Sequence, residues 1–257
     1  MRINSAILDG AKFLKSKYIS SAYLDSEILM AKAIRKDRKY ILLNPDKKIT
    51  NQDFLNFSKL IKKRSLRKPI AYMINKKFFW ESEFFVTKDT LIPRPDTEIL
   101  IECILKYSKN KNKQNILDIG VGSGCILLSI LKEKKNFIGS GIDISKDALN
   151  ICKINAVKLN VINRLKLYKT DVDKYNLGKY DLIVSNPPYI NKNKIKYLDK
   201  DIVSYEPLMA LDGGLDGLSE IRKVISKSSD LIKKKGRFIL EIGFDQKNRV
   251  IKLLKRK

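Results

Sequence analysis

Asn115-Ile-Leu-Asp118-Ile-Gly120-Val-Gly122-Ser-Gly124-Cys125 is the stretch that decides the fold. Residues 115–119 read as a strand, three glycines follow at alternate positions, and an apolar helical pattern starts at Cys125 and runs to Leu131. A strand that turns on glycines into a helix is a cofactor cradle of parallel α/β folds. Residues without side chains let a ligand approach the backbone and the helix N-terminus. The spacing is G-x-G-x-G, which misses the third position of the dinucleotide fingerprint G-x-G-x-x-G and so does not support an NAD enzyme.

Outward from this unit, strands and helices alternate. Strands are expected at 137–142, 165–168, 181–184 and 237–242, and helices at 148–159 and 219–232. This order predicts an α/β domain with a mainly parallel sheet covered on both faces, and a ligand site beyond the C-terminal strand ends. Asp143, Asp171 and Asn186 each fall just after a strand, as the glycine turn does. One edge of one sheet can collect them all.

Asn186-Pro187-Pro188-Tyr189 ends the apolar run Asp181–Ser185, 66 residues after Gly120. An Asn side chain offers a carbonyl oxygen, and a Pro-Pro step stiffens the backbone and lacks its own N–H donors. The turn therefore presents acceptors in fixed directions, which suits a planar NH2 group. Alone, Asn-Pro-Pro also reads as a rigid strand exit. Paired with the glycine turn upstream, it points to methylation of an amino or amide nitrogen.

The 257 residues hold one large domain, or an ordinary domain with a small one, and 44% are hydrophobic. There is no His, which removes Ser-His-Asp and Cys-His catalysis and His-ligated metals; no metal is expected. Cys103, Cys125 and Cys152 are odd in number, sit on apolar stretches and show no C-x-x-C spacing, so they read as buried free thiols in a reducing compartment. Without a membrane-length apolar run or a secretory leader, the chain is expected to be a soluble cytoplasmic protein with no membrane partner.

Net charge is +25. Residues 1–77 hold 19 Lys and Arg against 6 Asp and Glu, so less than a third of the chain carries about half of the excess. A basic small domain favours an anionic partner such as RNA, DNA or an acidic protein face. Lys outnumbers Arg 42 to 11 with Ile and Asn abundant, a bias that also reads as coding composition with solvated lysines; direct nucleic-acid binding is the lesser reading.

Helical spacing around Ile3–Leu14 and Leu24–Ala33, a short helix at Lys39–Leu43, and a helix capped by Thr50 running to Leu66 give a small helical domain. The aromatic stretch Lys77–Val86 reads as a β-hairpin, and residues 109–113 as an exposed loop. The division expected is 1–77 helical and substrate-docking, 78–92 a hairpin linker, and 93–257 the catalytic domain.

Several segments resemble the bacterial-type glutamine methyltransferases of peptide chain release factors: Asp25-Ser-Glu27-Ile-Leu, Pro69-Ile-Ala-Tyr72, Phe79-Trp80, Thr90-Leu-Ile-Pro-Arg94-Pro-Asp96-Thr-Glu98, Ile116-Leu-Asp118-Ile-Gly120, Asn186-Pro-Pro-Tyr189, Tyr205-Glu206-Pro207-Leu-Met-Ala210-Leu and Leu215-Asp-Gly217-Leu. The resemblance covers nearly the whole chain, and the arginine-proline and Glu-Pro segments are its most particular parts. It implies a class I S-adenosylmethionine-dependent methyltransferase with a Rossmann-like sheet, acting as a monomer on release factors in translation termination. S-adenosylmethionine would lie over Gly120, Val121, Gly122, Ser123 and Gly124. Asp143 would take the ribose hydroxyls and Asp171-Val172 the adenine, with Val172 where some relatives carry an aromatic residue. Asn186 would be shared between cofactor and substrate, Pro187 and Pro188 would contact the substrate amide, and Tyr189 would wall it; Asn186, Pro187 and Tyr189 are the catalytic candidates. The family continues past the strand at Glu241-Ile-Gly243 with a helix and an antiparallel strand pair, so those edge strands are expected to be missing. A ribosomal-protein glutamine methyltransferase, a DNA adenine methyltransferase and a non-catalytic binding module remain open as alternatives.

Overall fold

The computed structural model describes residues 1–108 and 113–256. Residues 109–112, most of the expected exposed loop, lie outside them. The chain divides into two compact units, Met1–Asn75 with Lys200–Tyr205, and Lys76–Asp199 with Glu206–Lys257.

The first unit is helical: α1 (Ile3–Ser16), α2 (Ala22–Ala33), α3 (Arg38–Leu43), α4 (Asn51–Ser65) and α5 (Ile70–Ile74). Asp37 and Thr50 cap α3 and α4, accepting from Tyr40 N–H and Asp53 N–H. Its core joins Ile3, Ile7 and Leu14 of α1 to Leu29 and Met30 of α2 and Phe57 and Ile61 of α4. Each such side chain, fully buried, contributes about 1.5–3 kcal/mol, which short helices with little stability of their own require. The unit also buries charge. Arg64 donates through Nε to Asp25 Oδ2 at 2.8 Å and through Nη1 to Asp201, which belongs to the short helix that completes the unit from far downstream in the chain.

The second unit opens with an antiparallel hairpin, β1 (Lys76–Phe79) and β2 (Ser82–Phe85). Then come α6 (Glu98–Tyr107), β3 (Asn115–Ile119), α7 (Cys125–Glu133), β4 (Ile138–Asp143), α8 (Lys146–Lys158), β5 (Leu165–Lys169) and β6 (Tyr180–Ser185). After the inserted α9 (Lys200–Tyr205) follow α10 (Ser219–Leu231), β7 (Ile232–Leu240) and α11 (Lys247–Leu254). Strands β3 to β7 form a parallel sheet in the order β5-β4-β3-β6-β7. Alternation assigns its two faces. Leu117 and Ile119 pack with Val224 and Leu231 of α10, while Gly139, level with Ile116, has no room for a Cβ beneath Leu127 of α7.

Helices α5 and α9 were not among the expected elements, and two more elements differ from the sequence expectation. Helix α6 went unread because Pro93-Arg-Pro95 looks like a break, although Pro95 opens the 3-10 turn that leads into it. Strand β7 begins at Ile232 rather than at residue 237, with a register shift opposite Tyr180–Leu182 that takes up residues 233–236. Of the three thiols only Cys152 is buried; Cys103 and Cys125 are half-buried, and all are free. Among the described residues no helix is long and apolar enough to cross a membrane.

Candidate active site

A cavity of about 430 Å³ lies at the C-terminal ends of β3, β4, β5 and β6, within the usual range of small-molecule sites, roughly 300–1,000 Å³. Its wall contains Gly120, Val121, Gly122 and Ser123 after β3, Asp143 at the end of β4, Asp171 and Val172 after β5, and Asn186, Pro187 and Pro188 after β6. Parallel strands bring these ends to one edge, and residues far apart in sequence meet there.

The glycine turn is held by the Gly120 and Val121 N–H groups, which both donate to Ile142 C=O. Gly120 has φ +76°, and a Cβ there would meet nothing within 4 Å, so its open side can take a ligand against bare backbone. Asp143 accepts from Gly122 N–H and Ser145 N–H, both at 2.9 Å, tying the turn to the start of α8. Burial raises its pKa against these two bonds. Each carboxylate oxygen keeps a second lone pair with which it can accept from a hydroxyl. Asp171 caps a short 3-10 turn through Asp173 N–H, and Val172 closes the floor while packing into the sheet core. An open glycine cradle, a carboxylate and an apolar floor fit a nucleoside-bearing cofactor.

Two residues of the sequence reading stand elsewhere. Gly124 (φ +82°) is not in the cavity wall; a Cβ there would come within 2.7 Å of Cys152 Sγ and Leu128 Cδ1, so it lets α7 start tight against α8. Tyr189 is also absent from the wall. The wall takes Asn186, Pro187 and Pro188 and stops short of Tyr189. The Tyr189 ring packs with Leu218, Ile221, Ile225 and Val250, and its Oη donates to Glu241 Oε1 at 3.3 Å. Burial, then the Glu241 charge, pushes the phenol up to about 12.

The turn after β6 is fixed from behind. Gln246 Nε2 donates to Tyr189 C=O and Gly217 C=O, each at 2.9 Å, while its Oε1 accepts from Gly243 N–H. Ile190 N–H donates to Leu211 C=O and Gly213 N–H to Ile190 C=O. Asn186 Nδ2 donates to Thr97 Oγ1 at 3.2 Å, which leaves Oδ1 as the end able to accept. The opposite wall, residues 89–94, is held by buried Glu206: Oε1 accepts from Arg94 Nη2 at 2.6 Å and Oε2 from Ile92 N–H at 3.3 Å.

Thr97, Glu241 and Gln246 carried no role in the sequence reading. Glu241 was hidden inside the strand expected at 237–242, whereas β7 ends at Leu240 and leaves it just past a strand end. Thr97 lies within the Thr90–Glu98 run that carries the resemblance, but nothing in that run assigns it to the turn, and Gln246 sits in no pattern.

Residues 5–74 match the family model described as PrmC N-terminal domain, and residues 95–205 the one described as Methyltransferase small domain. A release factor glutamine methyltransferase of Clostridium acetobutylicum is 37% identical over 257 residues, which cover 99% of this chain and 90% of that one. Another from Buchnera aphidicola subsp. Schizaphis graminum is 40% identical over 236 residues, covering 92% and 85%.

Proposed function

The chain belongs to the release factor glutamine methyltransferase family, and from that premise we propose that it methylates release factors on a glutamine side-chain amide nitrogen, using S-adenosylmethionine. The glutamine is that of their Gly-Gly-Gln loop, and the setting is translation termination in the cytoplasm. The observation that carries this reading is Asn186, bonded through Nδ2 to Thr97 so that Oδ1 is free beside a glycine cradle.

When bound over that cradle, S-adenosylmethionine supplies an electrophilic methyl group. Gly120–Ser123 would hold its methionyl part, Asp143 its ribose, and Asp171-Val172 its adenine. An amide nitrogen is a poor nucleophile because its lone pair is delocalised into the carbonyl. Asn186 Oδ1 and Pro187 C=O would each accept one N–H of the glutamine amide, aim the nitrogen, and favour the positive charge that develops on it. Held geometry supplies roughly 7–11 kcal/mol of a barrier and one neutral hydrogen bond about 0.5–1.5 kcal/mol, so aiming outweighs polarisation. Pro187 and Pro188 keep water from the acceptors. The proton leaves to water after transfer, so no side-chain base is required.

Tyr189 supports the turn from behind rather than walling the substrate. The helical unit, with its excess of Lys and Arg, docks the body of the factor while the acceptor turn takes the glutamine.

The test is single-turnover methyl transfer to purified release factor. Asn186→Ala loses the acceptor and the aim together, about 3 kcal/mol or a hundredfold in rate, while Asn186→Asp keeps an acceptor of the same shape and more of the activity. A folded Ala variant with normal cofactor affinity and near-normal transfer would reduce the Asn-Pro-Pro turn to a stiff strand exit.

A further inference from the structure

A primary amide has two ends of nearly equal size. Turned one way, Asn186 offers an oxygen to a substrate NH2; turned the other, it sets N–H against N–H. Its neighbours decide between these states. Thr97 Oγ1, on a residue 2% exposed, accepts from Asn186 Nδ2 at 3.2 Å. A hydroxyl alone would not choose, because it can donate to an amide oxygen as readily as accept from an amide nitrogen.

Glu241 removes that freedom. It follows β7 with its N–H donating to Ser185 C=O, which sets it beside Asn186 on the neighbouring strand end. Tyr189 Oη donates to its Oε1, and Oε2 is buried without a hydrogen-bond partner. Burial raises the Glu241 pKa, and the Thr97, Tyr189 and Asn186 side chains beside it oppose that rise by favouring the charged form, although neither Thr97 nor Asn186 closes a bond of normal geometry on Oε2. A carboxylate only accepts. With the Thr97 proton turned toward Glu241, the Thr97 lone pair is left for Asn186 Nδ2.

We propose that Glu241 and Thr97 are positioning residues that lock the Asn186 amide with Oδ1 toward the cavity before any substrate arrives. Glu241 is not in the cavity wall and acts only through its neighbours. The proposal rests on Asn186 as the acceptor for the glutamine amide. Preorganisation of this kind removes the need to flip a side chain during the reaction.

Two measurements on the full chain test it. In protein labelled with 15N-Asn, the Asn186 NH2 resonance is assigned by its loss in Asn186→Asp. Its hydrogen exchange is expected to be at least tenfold slower than that of an exposed Asn in the wild type and in Thr97→Ser, and within twofold of an exposed Asn in Thr97→Val. In single turnover at saturating release factor, Thr97→Val and Glu241→Gln lower the rate tenfold or more. Cofactor Kd and the half-saturating factor concentration stay within twofold, and Thr97→Ser keeps the rate within threefold. Unprotected Asn186 NH2 in the wild type overturns the lock, as does a folded Thr97→Val chain transferring at the wild-type rate or losing only affinity. If the wild type methylates no release factor, the proposed function falls, and the exchange measurement still decides whether the amide is locked.

Discussion

Asp118, the penultimate residue of β3, has both carboxylate oxygens buried and without hydrogen-bond partners. Burial, with a smaller push from Asp143, raises its pKa to about 7. In the unfolded chain the group titrates near 4, so between those values the folded state holds the extra proton. This contribution to stability is full at low pH and is lost as pH rises toward 7, by about 1.4 kcal/mol per pH unit within the window. Asp118→Asn keeps the shape and cannot charge. Its melting temperature is expected to fall less than the wild type's between pH 5 and 8, and parallel curves would show Asp118 protonation to be irrelevant. Sequence reading placed Asp118 within its strand but gave it no role, because burial without partners is a property of packing. Asp143, Asp171 and Asn186 were legible for the opposite reason: each stands at or just past a strand end of a parallel sheet, where topology alone puts a residue at the ligand edge. Tyr189 was expected to wall the cavity, whereas its ring packs on Leu218 and Ile221, because a motif names residues without naming the faces they take.

Helix α7 starts at a residue that must have φ +82° and no Cβ, since a Cβ on Gly124 would meet Cys152 Sγ and Leu128 Cδ1 at 2.7 Å. Gly124→Ala would strain the backbone and push α7 from α8, each effect costing about 1–3 kcal/mol. The expected outcome is a lower denaturation midpoint, with cofactor affinity in the still-folded protein reduced less than by a change at Gly120, and calorimetry beside a urea melt separates the two. Elements with a clean period were legible, β3 to the residue. Those hidden by punctuation were not. Pro95 serves as a helix opener for α6 where it reads as a stop, and the Lys233-Lys-Lys-Gly236 stretch is the irregular entry of β7, lying between the β6 pairings of Ile232 and Arg237 where composition favours a loop.

At the level of the whole molecule, the charge excess of residues 1–77 supports docking by the helical unit. Reversing exposed Lys12, Lys15 and Lys62 to Glu should raise the half-saturating release factor concentration severalfold, more at low salt than at high, with cofactor Kd unchanged. Equal transfer at all factor concentrations would remove docking from these lysines. The alternating α/β pattern made the catalytic architecture readable, but no local signal told that Lys200–Tyr205 leaves that unit to complete the helical one. Only the partners of Asp201 reveal it: Arg64, 7% exposed, lies between Asp25 and Asp201. That arrangement sets an order on synthesis. At about 5–20 residues per second, the ribosome needs roughly 6–25 s to pass from Asn75 to Lys200. Throughout that interval Arg64 has Asp25 but not Asp201 to pair with, so a unit begun early in synthesis is completed late.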